Sequence, residues 1–166
     1  SLALDLKSAS GREIALKRLT VSASARETES ATALFEREFQ ILMQLRHPHV
    51  ISVYDYGLSE DGSAYYTMEL LDGGDLLARA PMPWREVCRL MFDVCSSLAL
   101  LHSRRLVHRD ISPRNIRCTR DGSAKLIDFG AMAPMSSGGA DVVGTPAFIA
   151  PETLQRLALD ARTDLF

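Results

Sequence analysis

An excess of charge of either sign is missing from this sequence. Its 19 lysines and arginines stand against 21 aspartates and glutamates, a formal net charge of −2. That balance excludes the strongly basic surface on which nucleic-acid or anionic-membrane binding depends. Cysteine is scarce as well. The three present, Cys88, Cys95 and Cys118, are an odd number without metal-ligand spacing, so they read as reduced thiols of a cytoplasmic protein. Cys88 and Cys95 lie seven apart in a helical stretch, where core filling is the expected role. No apolar run reaches the length of a membrane span, and no signal peptide is present. Internal repeats and low-complexity tracts are absent too. The chain begins at Ser1 and stops at Phe166 in mid-pattern, so it is expected to be cut at both ends.

What is there is ordinary for one globular domain: 166 residues, 46% hydrophobic and 24% charged. Leu2 to Leu6 and Glu13 to Leu19 read as strands joined by a turn at 7–11. Period-two alternation puts Ala15 and Lys17 on one face of the second strand. Alone, that lysine reads as a solvated side chain. An amphipathic helix is expected from about Ser30 to Leu45, with Leu34, Ile41, Leu42 and Leu45 on its apolar stripe and Glu38 within it. A carboxylate on an apolar face needs a cation or a route to water, and Lys17 is the candidate cation. His47-Pro48-His49 ends the helix, its histidines positioning the connection. A hairpin follows, with strands at Val50 to Tyr56 and Ala64 to Leu70 around Glu60-Asp61-Gly62. Leu71 to Asp75 is a glycine-containing hinge. A long helix runs from about Trp84 to Ser103, its stripe formed by Val87, Leu90, Met91, Val94, Leu98 and Leu101. A second hairpin turns at Asp121-Gly122, and residues 131 to 149 are mostly irregular. The order of a strand-rich part, a hinge and a helix-led part predicts two lobes with a ligand cleft.

The chemistry sits on loops. His108-Arg109-Asp110-Ile111-Ser112-Pro113-Arg114-Asn115 is followed, after the second hairpin, by Asp128-Phe129-Gly130. One acidic residue as a base, with an asparagine and a second aspartate as oxygen ligands for a hard cation, is a set suited to phosphoryl transfer. Each of these residues has a plain alternative as a turn cap; the ordered set does not. Upstream stand Lys17 and, nine residues before His47-Pro48, Glu38; downstream come Gly144-Thr145-Pro146 and Ala150-Pro151-Glu152. In this order the motifs resemble a protein kinase core of the eukaryotic-like serine/threonine type that also occurs in bacteria.

The resemblance covers essentially the whole chain and implies an α+β, two-lobed kinase fold. Residues 1–70 would belong to the N-lobe, 71–75 to the hinge and 76–166 to the C-lobe. It implies ATP and Mg²⁺ as cofactors and a protein substrate with a serine or threonine acceptor, but no nucleic acid. Lys17 would hold the α- and β-phosphates and pair with Glu38. Asp110 would be the base, with Asn115 and Asp128 the Mg²⁺ ligands. On the nucleotide side it implies Ala15, Met68 at the back of the pocket, Glu69 to Leu71 as the adenine hinge, Asp75 at the ribose and Arg117 under the base. Thr145, contacting the catalytic aspartate, goes with serine/threonine acceptors. Glu152 would pair with an arginine beyond this chain, and Asp164 would open a central helix. Ser136 or Ser137, if phosphorylated, would order its segment through Arg109.

Four features depart from the pattern. No glycine-rich loop is present. Ser112 stands where a lysine would neutralise the γ-phosphate, a charge Arg114 could partly supply. Arg117 replaces an apolar residue, its aliphatic stem covering the base. Much of the helical lobe is missing, so the 166 residues alone are expected to be inactive. Two other classes stay open: a nucleotide-binding or scaffolding pseudokinase, favoured by Ser112 and Arg117, and a small-molecule kinase with a related acidic set.

Overall fold

A computed structural model describes residues 4–7, 13–20, 25–137 and 142–166, with the side chains of 4–7 and 25–28 outside the description. The chain divides into two compact units, one of residues 1–46 and 51–71, the other of residues 47–50 and 72–166.

The first unit is a four-stranded antiparallel sheet with one long helix. Strands β1 (Leu4–Lys7), β2 (Glu13–Arg18), β3 (Val53–Leu58) and β4 (Ala64–Glu69) lie in the order β1-β2-β4-β3. The hairpin of β3 and β4 closes through Ser59, whose backbone exchanges bonds with Gly62 and Ser63. Helix α1 spans Ala25–Gln44, starting earlier than expected. Its buried stripe is Phe35, Glu38, Phe39 and Leu42, followed by Leu45 just past its end, while Leu34 is 61% exposed. The expectation for Leu34 was one residue out of register. Phe35 and Phe39 decide the register, because their rings meet Tyr56 of β3 and Tyr66 of β4 at centroid distances of 4.9 to 6.4 Å. Aromatic packing of this size outweighs what one leucine gains by burial.

The second unit is built on α3, Trp84–Ser103, which has the expected bounds. It buries Leu90, Val94, Ser97, Leu98 and Leu101, with Val87 and Met91 half-buried. Cys88 and Cys95 lie on its exposed face, contrary to the core role expected of them; only Cys118 is buried. The short helix α2 (Leu76–Arg79) precedes α3. Two small antiparallel ribbons follow. One pairs β5 (Leu106–Val107) with β8 (Ala133–Pro134), the other β6 (Ile116–Cys118) with β7 (Ala124–Leu126). Strand β8 falls in a stretch that reads as irregular, and two residues of β-pairing carry too little periodicity to be seen in sequence. Val107, Ala133 and Leu159 form a small core there, with Met135 against it. A 3₁₀ turn at Pro146–Phe148, helix α4 (Pro151–Leu154) and a 3₁₀ turn at Ala161–Leu165 complete the unit. Among the described residues, no helix is long and apolar enough to cross a membrane.

Candidate active site

In the first unit, the pleat of β2 places Ala15 and Lys17 on one face. Ala15 is buried opposite Met68, and Lys17 lies opposite Tyr66. Lys17 Nζ donates to both oxygens of Glu38, at 2.8 and 3.1 Å. The side chains are 16% and 4% exposed, so this is a nearly buried ion pair. Removing one partner of such a pair typically destabilises by about 3–5 kcal/mol. The solvated alternative for Lys17 is therefore wrong here, and Glu38 does find its cation. Glu69 is engaged with Ser52: its amide donates to the Ser52 carbonyl at 2.9 Å, and its Oε1 accepts from the Ser52 amide at 2.8 Å. Leu71 is buried and Met68 half-buried.

In the second unit, the loop from His108 to Asn115 is held from below and from within. Asp164, its side chain fully buried, accepts the amides of His108 at 2.9 Å and Arg109 at 2.8 Å, and it meets His102 Nε2 at 2.9 Å. Arg109 and Asp128 both take positive φ, 70° and 61°, a conformation that non-glycine residues keep only where their surroundings enforce it. His108 is buried edge-on to Phe129, with centroids 4.8 Å apart. Its Nδ1 accepts from the Asp110 amide and its Nε2 donates to the Ile127 carbonyl, each at 3.3 Å, which defines a neutral tautomer. Burial holds this imidazole below its ordinary pKa, against the pull of Asp164, Asp110 and Asp128.

The Asp110 carboxylate is the focus. Its Oδ1 accepts from both the amide and the hydroxyl of Thr145, at 2.7 Å each. Its Oδ2 accepts from Asn115 Nδ2 at 2.7 Å, and the same nitrogen donates to the Asp110 carbonyl at 3.0 Å. Gly144 lets the segment come this close: its φ is +126°, and a Cβ there would sit 2.7 Å from the Arg109 carbonyl oxygen. Asp75 caps α2 by accepting from the Ala78 amide at 2.8 Å, and its backbone forms an antiparallel bridge with Arg117. Arg114 is exposed. Ser112 is buried, and its hydroxyl has no hydrogen-bond partner among the described residues. Glu152 accepts from the hydroxyl of Thr163 at 2.8 Å, a nearby partner not foreseen for it.

The protein kinase domain model matches residues 3–166. This chain belongs to the protein kinase domain family. Similar curated proteins include the probable serine/threonine-protein kinase SCO3848 of Streptomyces coelicolor, 34% identical, with 94% of this chain and 25% of the relative covered. The serine/threonine-protein kinase pkn3 of Myxococcus xanthus is 33% identical, over 93% of this chain and 32% of its own length. PknB of Mycobacterium leprae, also a serine/threonine-protein kinase, is 32% identical over 93% and 26%. The chain thus spans about a quarter to a third of the length of these relatives.

Within the kinase fold, the expected site residues divide between the units. Lys17 and Glu38 meet in the first, as do Asp110, Asn115 and Thr145 in the second. Two contributors escaped sequence reading, Tyr66, which donates to Glu38, and His102, which helps brace the loop; Asp164 is expected from sequence to open a helix, and its bracing of the loop is not foreseen. Tyr66 looked like any strand aromatic, and Asp164 lies more than 50 residues from the amides it accepts. Nothing local marks either contact.

Proposed function

We propose that the full-length protein is a kinase transferring the γ-phosphoryl group of ATP to serine or threonine hydroxyls of protein substrates. The observation that carries this reading is the Asp110 constellation, a loop carboxylate oriented at both oxygens by Thr145 and Asn115. A carboxylate held in this way orients an acceptor hydroxyl and takes its proton. The Thr145 hydroxyl, on Asp110 Oδ1, shapes the place where the acceptor lies. Lys17, held by Glu38, positions the α- and β-phosphates. Arg114 brings the positive charge that Ser112 lacks. Ala15, Met68, Glu69, Leu71, Asp75 and Arg117 form the nucleotide side, with residues 1–70 as N-lobe, 71–75 as hinge and 76–166 as C-lobe.

Magnesium, when bound, neutralises charge on the phosphates, and Asn115 and Asp128 are the residues that would hold it. The donor chemistry fits. The Asn115 nitrogen is used by Asp110, and its amide oxygen is the atom a hard cation takes. Among the described residues no cluster of three or more His, Cys, Asp or Glu is placed to hold a metal, and Mg²⁺ bound largely through phosphates and water requires none. The proposed setting is the cytoplasm, in keeping with three free cysteines.

The test is Mg²⁺-dependent transfer from labelled ATP by the full-length protein, offered protein and small-molecule acceptors, with Asp110→Asn beside it. Transfer to protein serine or threonine that falls at least about 100-fold in the variant is expected, the scale of a lost general base. Transfer only to small molecules would overturn the protein-kinase reading. A folded wild type that binds ATP and transfers nothing would establish the pseudokinase, the alternative that Ser112 in place of a lysine and Arg117 in place of an apolar residue keep open. The 166-residue chain assayed alone is expected to be inactive.

A further inference from the structure

The Lys17–Glu38 pair has a third member. Tyr66 Oη donates to Glu38 Oε1 at 3.0 Å, the oxygen that Lys17 Nζ reaches at 2.8 Å. Tyr66 is 2% exposed and Glu38 5%. Because Lys17 and Tyr66 are register partners across β2 and β4, the sheet delivers two donors to one carboxylate. The phenol ring is fixed by the helix that carries Glu38, lying 4.9 Å from Phe35 and 5.8 Å from Phe39 between centroids. Its direction is therefore set by packing on α1.

We propose that Tyr66 is a positioning residue of this site, its hydroxyl holding the Glu38 carboxylate in the orientation that pairs with Lys17. What Lys17 then does rests on the kinase reading; the contact does not. An ammonium that serves phosphate oxygens must share its donors, and sharing loosens its hold on Glu38. A buried carboxylate that loses donors becomes costly. The Tyr66 hydroxyl supplies a donor that is never shared with nucleotide, so Glu38 stays in place while Lys17 is divided between two acceptors. An aliphatic residue at 66 would fill the space without that donor.

The experiment uses full-length protein carrying Tyr66→Phe, Glu38→Met, or both. Tyr66→Phe keeps the ring against Phe35 and Phe39 and removes only the O–H. The KM for ATP is expected to rise about tenfold with kcat changed less than twofold, as for an interaction lost equally from ground and transition states. In the Glu38→Met background, which leaves the phenol no acceptor at 38, the same change should shift KM less than twofold. An equal factor in both backgrounds, or none in either, overturns the proposal, because packing alone is blind to the carboxylate. Amide hydrogen exchange along α1 without ATP gives an answer independent of activity. Exchange around Glu38 should be several-fold faster in Tyr66→Phe, with no further gain in the double variant, and unchanged exchange overturns the proposal. A wild type that transfers no phosphate sinks the kinase reading while exchange still decides Tyr66.

Discussion

Replacing Asp164 by asparagine should loosen the 108–115 loop without altering any residue that the proposed function places against substrate. The carboxylate accepts at both oxygens: Oδ1 takes the Arg109 amide, and Oδ2 takes the His108 amide and His102 Nε2. A carboxamide has one accepting side. If its oxygen keeps Arg109, its NH₂ faces the His108 amide, and two donors then confront each other in a buried site. Leaving one buried N–H unsatisfied costs about 1–3 kcal/mol. Arg109 offsets part of the loss, because its φ of 70° persists only while something enforces it, and such a residue stores on the order of 1–3 kcal/mol. Part of that strain is released as the loop relaxes, so Asp164→Asn should destabilise by about 2 kcal/mol. Asp164→Ala, which orphans all three donors, should cost about 4 kcal/mol, a large share of the ~5–15 kcal/mol that holds a domain folded. Amide hydrogen exchange at His108 and Arg109 in the full-length protein reads the loosening directly, and kcat/KM for phosphate transfer reads its consequence. We expect faster exchange at both amides and a loss of at least about tenfold in kcat/KM for Asp164→Asn. Wild-type exchange at these amides, with activity within twofold, would refute the argument.

Other outcomes follow from the same geometry. Thr145→Ala removes the hydroxyl at 2.7 Å from Asp110 Oδ1 and should lower kcat/KM about 10-fold or more, the size of a hydrogen bond to a charged group, while Thr145→Ser should retain most activity; equal losses in the two would count against the hydroxyl. Phe35→Ala should destabilise by about 3–5 kcal/mol and Leu34→Ser by less than about 0.5 kcal/mol, since only Phe35 is buried; denaturant midpoints of the two variants decide it. Acidity provides a fourth check. His47 and His108 are both held below the ordinary value of 6.5, each chiefly by burial. Near and below pH 6.5 the unfolded chain therefore binds more protons than the folded one, so stability rises with pH. Their contribution is fully present above 6.5 and lost as pH falls from there through the depressed values. A denaturation midpoint that stayed constant from pH 7.5 to 5.5 would contradict this.

Several of these residues were legible in sequence and others were not, for physical reasons. Asp110 and Asn115 lie five apart in one loop, and their hydrogen bond is local, so spacing carries it. The Lys17–Glu38 pair spans 21 residues; Glu38 is marked by its place on an apolar stripe, whereas Lys17, which alone reads as solvated, is picked out by the kinase resemblance. The register of α1 is ambiguous in sequence because a leucine and a phenylalanine sit side by side at 34 and 35, and only the opposing rings of Tyr56 and Tyr66 choose between them. Cys88 and Cys95 fit a helical period but fall on its wrong side, since the stripe of Leu90, Val94 and Leu101 claims the core. Asp164 and Tyr66 act across 55 and 28 residues, respectively. Neither contact has a local signature, because the groups they serve are backbone amides in one case and another side chain's spare oxygen in the other.

A common design links the carboxylates the site depends on. Glu38 receives Lys17 and Tyr66, Asp110 receives Thr145 and Asn115, and Asp164 receives His102 with two backbone amides. Each is satisfied by donors from at least two separate segments, so each carboxylate fastens pieces of chain that lie far apart in sequence. A carboxylate with one donor could rotate about its last bond and keep that donor; with donors at both oxygens it cannot do so without losing one. Orientation of the acid groups is then a property of the folded unit, not of the loop that carries them. This is why Asp164, which in this reading meets no substrate, is expected to matter to phosphate transfer as much as several residues that do.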